Sequence, residues 1–224
     1  MRGDFPARWP RCYLEQLSPS PRRTHAALLI ATSLVFLWSV ISPHDFFTWF
    51  LEIFPALIAS PLLLWIYPRY RFTTLAYTLI AIHACILMIG GHYTYAEVPL
   101  FNWLKSAYHL DRNYYDRLGH FAQGFVPAAI AREVLIRWTG VRRGAMLVFL
   151  VLCVAMAISA WYEILEFLVA RMTGDSAERF LGTQGDAWDT QWDMTSCFIG
   201  ALCSLLVIPR LQDRAIAQRE PPTA

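Results

Sequence analysis

The chain has 224 residues, of which 56% are hydrophobic, 15% aromatic and only 16% charged. That balance excludes an ordinary soluble domain of this size and a charged, disordered chain, and it points to an integral membrane protein. Nineteen basic and 17 acidic residues leave a net charge of +2, so no nucleic-acid partner is expected and the informative question is which loops carry the basic groups.

Residues 1–25 carry basic groups ahead of an apolar run, as a signal peptide does. No A-x-A-like cleavage sequence follows, however, so the run is expected to be a retained first span. Apolar windows of the roughly 17–25 residues needed to cross a bilayer occur at about 26–42, 46–67, 73–91, 118–138, 146–168 and 190–209. The fourth contains His120, Gln123, Arg132 and Glu133, and its alternative is a helix lying at the membrane surface. Its apolar residues go all the way round, which favours spanning.

The expected fold class is therefore all-α, a polytopic membrane helical bundle of about six transmembrane helices. Placing the N-terminus in the cytoplasm puts 13 Lys and Arg side chains inside and five outside, with Arg132 left over near the inner end of the fourth span. This bias predicts that both termini are cytoplasmic. The expected organisation is a cytoplasmic tail over residues 1–25, a single transmembrane domain over 26–209 and a solvated or frayed cytoplasmic tail over 210–224.

Five cysteines, Cys12, Cys85, Cys153, Cys197 and Cys203, are dispersed without a CxxC pair. Four fall in apolar windows and are expected to act as packing residues, which argues against a disulfide framework or a thiolate metal site. The two longest connections, residues 92–117 with Trp and Tyr and residues 169–189 with Trp188, fall on the outer face, where function is expected to reside.

Polar groups converge at the outer ends of the last three spans. At about 100° per residue, Asp116, His120, Gln123, Gly124 and Pro127 share one stripe of the fourth span. In the fifth, Ser159, Tyr162, Glu163 and Glu166 share a face. The sixth begins LGTQGDAWDTQWDM, with Gly182 and Gly185 supplying turn flexibility and with Asp186, Asp189 and Asp193 opposite Trp188 and Trp192. The tryptophans fit an interfacial belt. Taken singly, each helix also has a bland reading: an interfacial histidine, glutamates marking a helix exit, and aspartates capping a helix start. Together they place acids and an imidazole at one depth, where ionisable groups are costly and mark sites.

The expected metal ligands are His120, Asp186, Asp189 and Asp193, a set suited to a divalent ion such as Mg²⁺, Mn²⁺, Ca²⁺ or Zn²⁺. Glu163 and Glu166 are the expected catalytic pair, one acting as general base. Tyr115, Arg117, Gln123 and Gln184 border the same layer and are the expected substrate contacts. Arg112 or Arg117 is suited to holding a phosphate or carboxylate through bidentate hydrogen bonds. Without a cation or a proton, such an acidic cluster would repel itself.

The strings YAEVPLFNWL, YDRLGHFAQGFVPAAIAREVL, YEILEF and LGTQGDAWDTQWDM resemble the YjdF-type family of bacterial inner-membrane proteins, over residues 25 to 214. That resemblance implies a multispan inner-membrane protein and no established activity. A fainter likeness links Asp116, Arg117 and His120, then Glu163 and Glu166, then Asp189 and Asp193 to the VanZ-like membrane proteins associated with glycopeptide resistance. The long WDTQWDM segment and the extra N-terminal spans depart from that pattern.

Three functions are in competition. The first is an enzyme acting at the outer surface of the inner membrane on an amphiphilic or lipid-linked substrate, with a metal-activated water or a polarised phosphoryl oxygen. The second is an ion-coupled transporter, disfavoured by charges near one face and by the lack of an internal repeat. The third is a non-catalytic scaffold whose polar layer only joins helices. The lipid bilayer is a partner in all three, and no oligomeric state is expected from the sequence.

Overall fold

The computed structural model describes residues 21–173, 181 and 183–218, and among these the regular structure is entirely helical. The helices are α1 (Pro21–Val40), α2 (Phe46–Ile66), α3 (Thr74–Tyr93), α4 (Pro99–Tyr108), α5 (Tyr115–Arg137), α6 (Ala145–Thr173), α7 (Asp189–Val207) and α8 (Pro209–Ala217), with a 3₁₀ turn at Tyr95–Glu97. All six apolar windows read from the sequence are helical. Four helices, α1, α2, α3 and α6, are long and apolar enough to cross a membrane, and the bent pair α7 and α8 makes a fifth candidate.

α5 falls short of that apolarity because it is the hub of the bundle. It packs most extensively on α7 and also on α3 and α6, so its polar residues face protein rather than lipid. Asp116, His120, Arg132 and Glu133 are all buried. The outward faces of the other helices are apolar: Leu29, Leu34, Leu64, Phe149, Phe167 and Leu206 are exposed side chains, as a lipid-facing exterior requires.

Local sequence sets the helix starts. Asp45 caps α2 by accepting hydrogen bonds from the Thr48 amide at 2.8 Å and the Thr48 hydroxyl at 2.6 Å. Thr73 caps α3 by accepting from the Ala76 amide, and Glu133 of α5 in turn accepts from the Thr73 amide and hydroxyl at 2.8 and 2.7 Å. This joins α3 to α5 at the end remote from the acidic cluster. Small buried side chains make the core between α5, α6 and α7, where Ala128, Val151, Ala155 and Ala201 meet.

Two expectations about connections need correction. Residues 92–117 are not simply a loop, because Pro99 at the first helical position starts the short amphipathic α4. Residues 210–218 are not a solvated tail. The chain bends by 57° at the α7–α8 junction, and α8 buries Gln212 and Ile216. Arg132 donates to Gln212 Oε1 and Asp213 Oδ1, both at 2.8 Å, and Gln212 Nε2 donates to the Ala129 carbonyl. A buried guanidinium needs acceptors, which accounts both for Arg132 in the fourth span and for the docking of α8. Cys85, Cys153, Cys197 and Cys203 are free thiols; Cys12 and Gly182 lie outside the described residues.

Candidate functional site

The α5–α7 contact brings the expected residues together. Asp116, Arg117 and His120 lie on the first turns of α5, and Asp189 and Asp193 on the first turns of α7. Asp189 and Asp193 are buried, whereas Trp188 and Trp192 on the opposite side are more than half exposed. The turn ahead of α7 holds Gln184 at φ 50° and Gly185 at φ 86°, and Asp186 Oδ1 accepts from the Trp188 amide at 2.9 Å.

The positive charge that balances these acids comes from the chain itself. Asp189 Oδ1 accepts from Arg112 Nη1 and from Arg117 Nη2, both at 2.6 Å. Arg117 Nη1 reaches Asp116 Oδ2 at 3.2 Å and also bonds Asp193 Oδ1. Asp186 Oδ2 lies 3.5 Å from Arg112 and 3.4 Å from Arg117. Both arginines are therefore engaged with internal carboxylates. Arg112 and Arg117, expected to hold a substrate phosphate or carboxylate, instead hold carboxylates of the chain itself.

His120 is the junction of the cluster. Its Nε2 is 3.5 Å from Asp116 Oδ1 and from Asp193 Oδ1, while Nδ1 lies 3.1 Å from Gln123 Oε1 and 3.8 Å from Glu163 Oε1. Asp116, His120 and Asp193 each offer a ligand atom within 4.8 Å of the others. Asp186 and Asp189, expected as ligands, instead face the arginines. Asp116 takes their place in the converging set.

The remaining expected residues divide between structure and cavity. Tyr115 donates to the Ile86 carbonyl at 2.8 Å and packs edge-on against Tyr95 and Phe101. Gln184 clamps the backbone of Asn113, accepting from its amide and donating to its carbonyl at 2.9 Å each. Gln123 and Glu166 line a half-open cavity. Glu163 is buried beside His120, and neither of its carboxylate oxygens has a hydrogen-bond partner among the described residues.

That cavity, of about 620 Å³, lies between α2, α3, α5 and α6. At one end Glu52, His83, Tyr95, Asp116, His120, Tyr162 and Glu166 reach its wall. From there the lining becomes apolar, through Leu62, Leu63 and Ile66 of α2, Ile130 and Val134 of α5, and Val154 and Ile158 of α6. Between Glu52 and Ile66 the wall extends about 21 Å at the helical rise per residue.

Glu52 was missed in the sequence. It is 5% exposed on α2 and accepts a long hydrogen bond, 3.4 Å, from Tyr162 Oη. A lone carboxylate inside an apolar window was the available signal. Tyr95 was passed over as a loop aromatic, yet its buried ring fills the space left by Gly90 on α3 and Gly119 on α5, where a Cβ would collide with it. Burial pushes its phenol well above the ordinary range, so Tyr95 offers a neutral hydroxyl.

Residues 24–214 match the family described as "Predicted membrane protein (DUF2238)". The chain is 48% identical over 199 residues to the inner membrane protein YjdF of Escherichia coli (strain K12), covering 87% of this chain and 95% of that protein. No solved structure matches. The chain belongs to the DUF2238 family of predicted membrane proteins, as a multispan protein of the bacterial inner membrane.

Proposed function

We propose that the cavity takes the chain of an amphiphile from the bilayer and presents its headgroup to His120, Glu166 and their neighbours, making this chain a membrane-embedded enzyme acting on a lipid or lipid-linked substrate. The proposal includes six spans, α5 and α7 among them, with both termini cytoplasmic and the cluster near the outer face. The bias of basic residues toward the inner segments supports that orientation.

One observation carries the reading: a single cavity is polar at one end and apolar along the rest. A soluble substrate needs no such tail, and a purely structural polar layer needs no cavity. At the headgroup, His120 has an acceptor on each ring nitrogen's side, as a proton carrier requires. Glu166 faces the same space as a candidate base. Extracting the purified protein for bound lipids and incubating it with inner-membrane lipid extract tests the proposal. A co-purifying amphiphile, consumed by wild type and not by His120→Ala or Glu166→Gln, is the expected result. Protein devoid of amphiphile and inert toward the extract would end the reading.

A second reading is favoured by the convergence of Asp116, His120 and Asp193. A divalent ion there would polarise a headgroup oxygen. Arg117 competes for the same carboxylates, so binding requires that guanidinium to withdraw. Metal analysis of wild type and Asp193→Asn decides it: stoichiometric metal lost in the variant supports the ion, and none in either rejects it.

A further inference from the structure

We infer that the polar end of the cavity recognises a cationic headgroup, so that the amphiphile bears an ammonium group; this rests on the amphiphile reading above. Carboxylates of Glu52, Asp116 and Glu166 reach the wall, whereas no lysine or arginine lines it among the described residues. The two nearby arginines lie behind Asp116, engaged with the acids of α7.

Glu166 is the independent pointer to a ligand. It is 8% exposed, lines the cavity, and has no hydrogen-bond or ion-pair partner among the described residues. Glu52 has only the long bond from Tyr162. Carboxylates accept and do not donate unless protonated, and in apolar surroundings each demands a cation or a proton. An ammonium supplies both the opposite charge and several N–H donors at one point. A phosphate or sulfate would bring like charge against Glu52 and Glu166, beside which His83 and His120 are the only basic side chains on the wall among the described residues. The volume lies within the roughly 300–1,000 Å³ typical of small-molecule sites.

Photolabelling of the full-length protein in lipid nanodiscs tests this, using dodecyl diazirine probes with an amine, a phosphate, a hydroxyl or a phosphoethanolamine head. The amine probe is expected to label Leu63, Ile130 or Val134 at least about tenfold more than the phosphate or hydroxyl probe. Glu52→Gln and Glu166→Gln should each abolish that preference without abolishing labelling. Equal labelling by amine and phosphoethanolamine would identify a lipid head as the source of the ammonium, and labelling by amine alone a simple long-chain amine; both outcomes support the inference. Cavity labelling that ignores the headgroup would overturn the inference and leave the amphiphile reading standing. Absence of cavity labelling by every probe would overturn both. The comparison among heads in wild type stands even where a variant fails to fold.

Discussion

Gly124 of α5 and Gly200 of α7 are a reciprocal pair. A Cβ on Gly124 would fall on the Cys197 carbonyl, and one on Gly200 would fall on the Phe121 carbonyl. Each glycine removes a side chain where the other helix's backbone passes, the arrangement that lets helices in a bilayer approach closely. One turn toward the cluster from Gly124 is His120, and one turn from Cys197 is Asp193, so the close approach also sets the spacing of the site. Gly124→Leu and Gly200→Leu are expected to destabilise the protein by roughly 1–3 kcal/mol or more. They should also abolish cavity photolabelling, since the helix separation changes both. Thermal unfolding of purified variants alongside labelling yield checks this; a stable variant with normal labelling contradicts it.

Arg117 is 13% exposed at its side chain and serves Asp116, Asp189 and Asp193 at once. Removing it leaves buried Asp193 without a guanidinium, and Asp116 and Asp189 with Arg112 alone, a change that typically costs about 3–5 kcal/mol. Arg117→Met should therefore sharply lower the unfolding midpoint, and Asp193→Asn in the same chain should restore part of it. Asp186, the most exposed of the acids at 28%, should tolerate Asn with a change of about 1 kcal/mol or less. A double-mutant cycle on Arg117 and Asp193 measures the coupling directly.

The spans were legible because hydrocarbon selects for long apolar helices, and the face-sharing of Asp189 with Asp193, away from Trp188 and Trp192, followed from helical periodicity. Which carboxylate meets which cation was not legible. Arg112 and Asp189 are 77 positions apart and bond at 2.6 Å; no local pattern encodes that pairing. Glu52 was hidden because it belongs to an N-terminal span and meets Tyr162, 110 positions later, only through the folded bundle. α8 was misread because PRLQDRAIAQ is charged enough to look solvated. Its docking contacts include polar ones to an arginine in another helix, beside the buried Ile216.

Docking of α8 gives a prediction opposite to that for a free tail. Deleting residues 210–224 removes both Gln212 and Asp213 from Arg132, whose side chain is 7% exposed, and leaves an unpaired buried guanidinium. The expected loss is about 3–5 kcal/mol, read as a lower unfolding midpoint and reduced folded yield. Arg132→Leu in the truncated chain should recover part of it, because the residual charge is then gone. An unaffected truncation would mean that α8 does not dock in the membrane.

Glu166→Gln separates a working site from a polar seam. A seam holds helices together through hydrogen bonds, so substitution within it should reduce the amount of folded protein. Glu166, however, bonds no other side chain among the described residues, and the amide is isosteric with the acid while removing a buried charge. Folded abundance of Glu166→Gln, measured by size-exclusion chromatography of a fluorescent fusion, should thus equal or exceed that of wild type, while lipid turnover and preference for the amine probe disappear. Arg117→Met is the contrasting case, because its contacts hold α5 to α7 and its loss should reduce abundance and turnover together. If Glu166→Gln instead lowers abundance and leaves turnover per folded molecule intact, the cavity's acid is a structural element and catalysis lies elsewhere in the chain.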